Sequence, residues 1–185
     1  MFPVAVLLAA SAVSAPVPKA FPELVKNGSF EEGPDICGWG VPVDKDATSV
    51  TGWTVTRGQI DVVNVKHWQA GDGKRSLDLH GSAGFGGVKQ TLATAKGKKY
   101  TVTFLLAGNP GGQVKEKSVW VEAAGVKKKF TFDSKGKTVE DMGWEKQTWE
   151  FTATADETEL EIYTAETTDE FAGPAVDNVS VREKK

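Results

Sequence analysis

The residues Tyr100-Thr101-Val102-Thr103-Phe104-Leu105-Leu106 carry the cleanest alternation of side-chain character in the chain. A period of two sets every second side chain on one face of a strand. Shorter runs of the same kind recur. Trp53 and Val55 share a face of Gly52-Trp53-Thr54-Val55-Thr56, and Leu77 and Leu79 share a face of Ser76-Leu77-Asp78-Leu79-His80. Residues 60–65, 88–92, 118–122, 129–132, 147–151 and 159–163 read as further strands, with a last one over 173–181. Gly71-Asp72-Gly73, Asn109-Pro110-Gly111-Gly112 and Ser134-Lys135-Gly136 punctuate them as turns. No segment sustains an apolar stripe at i, i+3, i+4. About ten short strands with turns between them predict an all-β chain, an antiparallel β-sandwich of jelly-roll type. Asn27-Gly28-Ser29-Phe30-Glu31 reads as a short strand entry, and residues 33–50, rich in Gly, Pro and Asp, as one long loop.

The final strand contains an anomaly. Counting back from Val181 and Val179, the next core-facing position is Asp177. A carboxylate in that register must be hydrogen-bonded, paired or bound to a cation. It could cap backbone donors at the sandwich edge, or it could share a cation with the amino-terminal segment, which is the favoured expectation. Calcium takes roughly six to eight oxygen ligands, and chain termini tend to lie close together. Glu31 and Asp177 are therefore the candidate metal ligands, with carbonyls from residues 73–76 as supplements. The plainer reading of Glu31 is an ion pair with a lysine.

The 185 residues suit a single domain with a sizeable core. A net charge of -3 gives no reason to expect nucleic acid or an anionic membrane surface as a partner. The lysine clusters at 96–99 and 127–129 read as solvated loops or guarded strand edges. Residues 1–15 are apolar and small, ending Ala10-Ser11-Ala12-Val13-Ser14-Ala15, and read as a signal peptide cut after Ala12 or Ala15. That run is too short for a stable membrane span. A secreted product, extracellular or periplasmic, is expected, with a linker over 16–25 and one β-sandwich domain over 26–182. Cys37 is the only cysteine, so no internal disulfide can form.

Catalysis finds little support. Only His67 and His80 could supply an imidazole base, and no G-x-S-x-G elbow is present. His80 shares a strand with Asp78, a pairing read as a surface contact. Histidine and cysteine are too few for a zinc site, and a non-enzyme is expected. The six tryptophans are the other chemical resource, because aromatic faces stack on sugar rings. Trp53 and Trp149 are in phase with apolar neighbours and read as core. Trp68, with the adjacent His67, and Trp144 sit at loops, where they could pack a loop down or touch a ligand. Trp120 faces away from Val119 and Val121, as an exposed platform or the filler of a second layer. Trp68, Trp144, Trp120 and His67 are the candidate ligand-binding residues.

Several of these stretches together resemble the choice-of-anchor C domain, a group related to the DUF642 proteins of plant cell walls. They are Asn27-Gly28-Ser29-Phe30-Glu31, Gly52-Trp53-Thr54-Val55, the run from Trp68 to Leu79, the run from Tyr100 to Pro110, Met142-Gly143-Trp144, and Gly173-Pro174-Ala175-Val176-Asp177-Asn178-Val179-Ser180-Val181. The resemblance implies a galactose-binding-domain-like β-sandwich that is secreted, non-enzymatic and binds cell-wall or extracellular polysaccharide. It also implies a structural calcium held by Glu31 and Asp177. Related proteins often end in a surface-sorting tail, whereas the last residues here are Arg182-Glu183-Lys184-Lys185, so a freely secreted product is expected. The alternative is an extracellular structural or adhesive protein that binds another protein through a sheet face.

Overall fold

Thirteen strands are present among residues 21–165 and 171–185, which the computed structural model describes. The signal peptide and the first half of the linker expected from the sequence lie outside the described residues. The strands are β1 (Gly40–Asp44), β2 (Thr54–Arg57), β3 (Gln59–Asn64), β4 (Arg75–Asp78), β5 (His80–Gly81), β6 (Gly84–Phe85) and β7 (Gly87–Ala93). They continue with β8 (Lys99–Gly108), β9 (Glu116–Ala123), β10 (Val126–Asp133), β11 (Glu145–Thr152), β12 (Glu157–Thr164) and β13 (Pro174–Glu183). Six form one sheet in the order β1-β3-β4-β13-β8-β11, and five form the other in the order β10-β9-β12-β7-β2. The short β5-β6 hairpin stands apart. All described pairings are antiparallel. The fold is the jelly-roll β-sandwich expected from the strand pattern.

The core lies between the sheets. Val62, Leu77, Val102, Phe104, Leu106 and Val181 meet Val88, Leu92, Val119, Val121, Leu160 and Ile162 there, all essentially without solvent contact. Trp53 is buried with them and donates its indole N–H to the Asn27 carbonyl at 3.0 Å. Trp149 packs against this core from β11, half-buried near the sheet edge. Alternating apolar side chains thus form the layers, and burial of those rows is the main driving force.

Three local features differ from the sequence expectation. Residues 33–50 are not one loop, because β1 lies within them and pairs with β3. Residues 27–31 form a turn rather than a strand: Asn27 and Phe30 have φ of 52° and 58°, outside the extended region of a regular strand. The Asn27 side chain ties that turn to the backbone of Glu32 and Thr51. Glu23, placed in the linker by the sequence, accepts hydrogen bonds from Ser180, Val181 and Arg182 and so docks on β13.

A fourth difference concerns Asp177. Val176 pairs with Leu106 and Val181 with Val102, so both point into the core. Pairing slips between Asp177 and Ser180, where Asn178 adopts a φ of 47°. This bulge adds a residue and reverses the inward phase. Asp177 therefore stands opposite Leu105 on the outer face of the six-stranded sheet, buried there beneath a covering loop rather than in the core. Gly28 abuts the bulge, since a Cβ there would fall 1.9 Å from the Val179 carbonyl oxygen.

Candidate functional site

On the outer face of the six-stranded sheet, Pro42, Asp61, Asp78, Ala175 and Ala107 form one row across β1, β3, β4, β13 and β8. Residues 65–74, between β3 and β4, fold back over part of this face. Four backbone amides fix that loop through two carboxylates. Gly71 and Asp72 donate to Asp177 Oδ2 at 2.9 and 2.8 Å, and Lys74 and Arg75 donate to Glu31 Oε1 at 2.7 and 2.9 Å. Asp177 Oδ1 accepts a further bond from the Asn178 amide at 2.6 Å. Gly71 is pressed between Leu105, Trp144 and Asp177, where a Cβ would sit 2.8 to 3.2 Å from all three.

Glu31 and Asp177 are thus brought to the same loop, as the termini argument requires. What the loop offers them is N–H groups, not the carbonyl oxygens expected of residues 73–76. Among the described residues no three His, Cys, Asp or Glu side chains gather as metal ligands. The contacts of Asp177 are those of a carboxylate capping backbone amides, the plainer reading of that residue, and Glu31 meets amides of the same loop where its plainer reading was an ion pair with a lysine.

Trp68 and Trp144 also serve this loop. Trp68 is buried, with 2% of its surface exposed, and donates its indole N–H to Ser76 Oγ at 2.8 Å. Trp144 is half-buried over Gly71 and donates to the Gln69 carbonyl at 2.9 Å. Trp120 lies on the opposite side of the molecule, on the outer face of the five-stranded sheet, with the Lys127 ammonium 4.7 Å from its ring centre. The structure does not bring these three together into one ligand surface.

Beside the covering loop opens a cleft of about 380 Å³, whose walls include Trp39, His67, Trp68 and Phe171 and whose floor is Asp61, Val63 and Asp78. Trp39, His67 and Trp68 make a continuous aromatic run, with neighbouring ring centres 5.7 Å apart. Trp39 and Phe171 leave 47% and 58% of their surfaces exposed, unusual for side chains of this size unless something covers them in use. Phe171 also has a φ of 68°, a strained value for an aromatic residue.

The lip carrying Phe171 is firmly held. Asn109 donates its side-chain amide to Asp78 Oδ2 at 2.9 Å and to the Phe171 carbonyl at 3.2 Å, and its backbone amide to the Gly173 carbonyl. The buried ammonium of Lys117 donates to the Ala172 carbonyl at 2.6 Å. Asp78 Oδ1 takes the amides of His80 and Gly173, each at 3.0 Å. The expected Asp78–His80 surface contact is therefore a buried one, made through backbone rather than imidazole. Burial pushes the Asp78 carboxyl up to about 7, with the charge of Asp61 adding to it against the Asn109 and amide hydrogen bonds. Asp61 stands directly across the β3-β4 pair, where opposed side chains lie roughly 5 Å apart at Cβ. Its carboxyl makes no hydrogen bond to a described residue, and burial raises it to about 6.

Of the side chains expected to bind ligand, His67 and Trp68 line this cleft. Trp39, Phe171, Asp61 and Asp78 were not foreseen. Trp39 could have been found, since its flanking glycines, Gly38 and Gly40, mark it as a loop tryptophan of the same kind as Trp68 and Trp144.

The fold puts the chain among the jelly-roll sandwiches, solved examples of which include carbohydrate-binding modules. TmCBM61 in complex with β-1,4-galactotriose superposes with a TM-score of 0.56 at 15% identity, covering 88% of this chain and 99% of that one. The CBM22-1 xylan-binding domain of Paenibacillus barcinonensis Xyn10C gives 0.53 at 19%, covering 91% and 99%. An enzyme shares the fold as well: the Stig cyclase Fisc from Fischerella sp. TAU gives 0.56 at 17%, covering 89% and 97%. More specifically, the chain belongs to the DUF642 family, described as proteins of unknown function, whose model matches residues 23–182. It is 31% identical to halomucin of Haloquadratum walsbyi over 182 residues, which is 96% of this chain but 2% of halomucin. It is 28% identical to the Arabidopsis thaliana protein DUF642 L-galactono-1,4-lactone-responsive gene 2 over 174 residues, 85% of this chain and 45% of that protein. The chain thus spans less than half the length of these relatives.

Proposed function

We propose that the protein is a secreted, non-enzymatic module that binds extracellular or cell-wall polysaccharide in the cleft between Trp39 and Phe171. One observation carries this reading: two large aromatic side chains stay exposed on either side of a partly desolvated carboxylate with open acceptor capacity. Apolar plates flanking a few polar groups suit a sugar ring, whose faces are apolar and whose edge is lined with hydroxyls. The carbohydrate-binding modules among its structural neighbours support it, and the apolar segment 1–15 supports secretion. The reading needs no calcium, since amides of residues 71, 72, 74 and 75 already meet Asp177 Oδ2 and Glu31 Oε1. Binding a protein through a sheet face is the alternative. On the five-stranded sheet that face is already tied up by Arg57 with Glu161, Lys89 with Glu159, and Lys127 against Trp120.

Retention on insoluble xylan and cellulose, and retardation in gels containing soluble β-1,4-galactan, test the proposal. Trp39→Ala should weaken binding about tenfold, as expected for an aromatic anchor, while leaving the melting temperature unchanged. Absence of binding to every polysaccharide, or full binding by the variant, would refute it.

A further inference from the structure

We propose that the cleft discriminates by charge, taking sugars that lack a carboxylate and rejecting uronates, with Asp61 setting the preference. The inference rests on the polysaccharide-binding reading and adds the class of sugar to it.

Among the described residues, the charged and titratable groups that line the cleft are Asp61, Asp78 and His67, with no lysine or arginine. Arg75 and Lys117 are committed elsewhere, Arg75 to the Pro34 carbonyl and Lys117 to the Ala172 carbonyl. Asp78 already accepts from three donors, two on Oδ1 and one on Oδ2. Asp61 is the acidic group with acceptor capacity to spare, and a carboxylate accepts about four hydrogen bonds. Hydroxyls of a neutral sugar can donate into it. A uronate carboxylate can only accept, and it would arrive as a third negative charge in a partly dry space. Repulsion between charges is stronger in such a space than in bulk water, and salt entering from the open side of the cleft screens it. The aromatic walls offer the same stacking face to either sugar, so discrimination falls to the carboxylates.

The experiment compares β-1,4-galactan and cello-oligosaccharides with the same polymers oxidised at C6 to uronates. At about pH 8, above the range in which Asp61 and Asp78 take up protons, and at low salt, the oxidised form should bind at least about tenfold more weakly than its parent. About 0.5 M salt should narrow that gap in the unmodified protein, because the Debye length then falls well below its low-salt value. Asp61→Asn should narrow it too, with its fold checked by thermal melting. Equal or tighter binding of the oxidised polymer would overturn the inference and leave polysaccharide binding standing, as would a gap indifferent to both salt and Asp61→Asn. If neither form of either polymer binds, both the inference and the functional reading fail.

Discussion

Asp78 holds the lip of the cleft while sitting fully buried beside a second acid, and this shapes how the protein responds to pH. Burial raises Asp78 to about 7, Asp61 to about 6 and Asp177 to about 7, from an ordinary 3.8. Between roughly pH 4 and 7 the folded chain therefore holds more protons than the unfolded one, and by linkage stability falls as pH rises through that window. The contribution of these acids is fully present below the ordinary carboxylate range and lost above about 7. Glu23 acts in the opposite sense. Burial alone would raise it, but hydrogen bonds from Ser180, Val181, Val25 and Arg182 hold it low, so its contribution is lost only as pH falls below the ordinary range. We expect a higher melting temperature at pH 5 than at pH 8; a melting temperature that climbs over that interval would contradict the assignment. None of this was visible in the sequence. Asp78 and Asp61 become a pair only when β3 and β4 align, and Phe171 joins them only when β13 returns beside β4.

The covering loop of residues 65–74 is the element on which the site depends, because it presents His67 and Trp68 to the cleft. Its anchors are Asp177 and Glu31, each accepting two of its amides. Asp177→Ala would leave the amides of residues 71, 72 and 178 without their acceptor, at a cost of about 2–4 kcal/mol given the penalty for orphaned buried donors. A chelator should leave the thermal melt of the unmodified protein unchanged, since loop amides already meet Asp177 Oδ2 and Glu31 Oε1. A large fall in melting temperature on chelation would instead place a metal between them. The sequence singled out both residues as candidate ligands of one ion, and the structure brings both to this loop through its amides. It assigned Asp177 to the core because alternation was counted straight through Asn178, where the chain bulges. Bulges and left-handed residues break the period that sequence reading relies on, and the turn at residues 27–31 was misread for the same reason.

At the scale of the whole molecule, the alternating runs disclosed the sandwich because burial of one strand face is a local property. Only the assembled sheets reveal which of their outer faces carries the cleft, since that choice depends on where two loops land. Trp120 and the cleft occupy opposite outer faces of the sandwich, so polysaccharide binding in the cleft and protein binding through the five-stranded sheet make separable claims. The six tryptophan indole N–H groups can be followed individually by NMR in a nitrogen-15-labelled sample, with assignments from single Trp→Phe variants. Titration with β-1,4-galactan or cello-oligosaccharides should shift the Trp39 and Trp68 signals together and leave Trp120 in place. A shift confined to Trp120, or no shift at Trp39 at saturating oligosaccharide, would contradict a sugar-binding cleft.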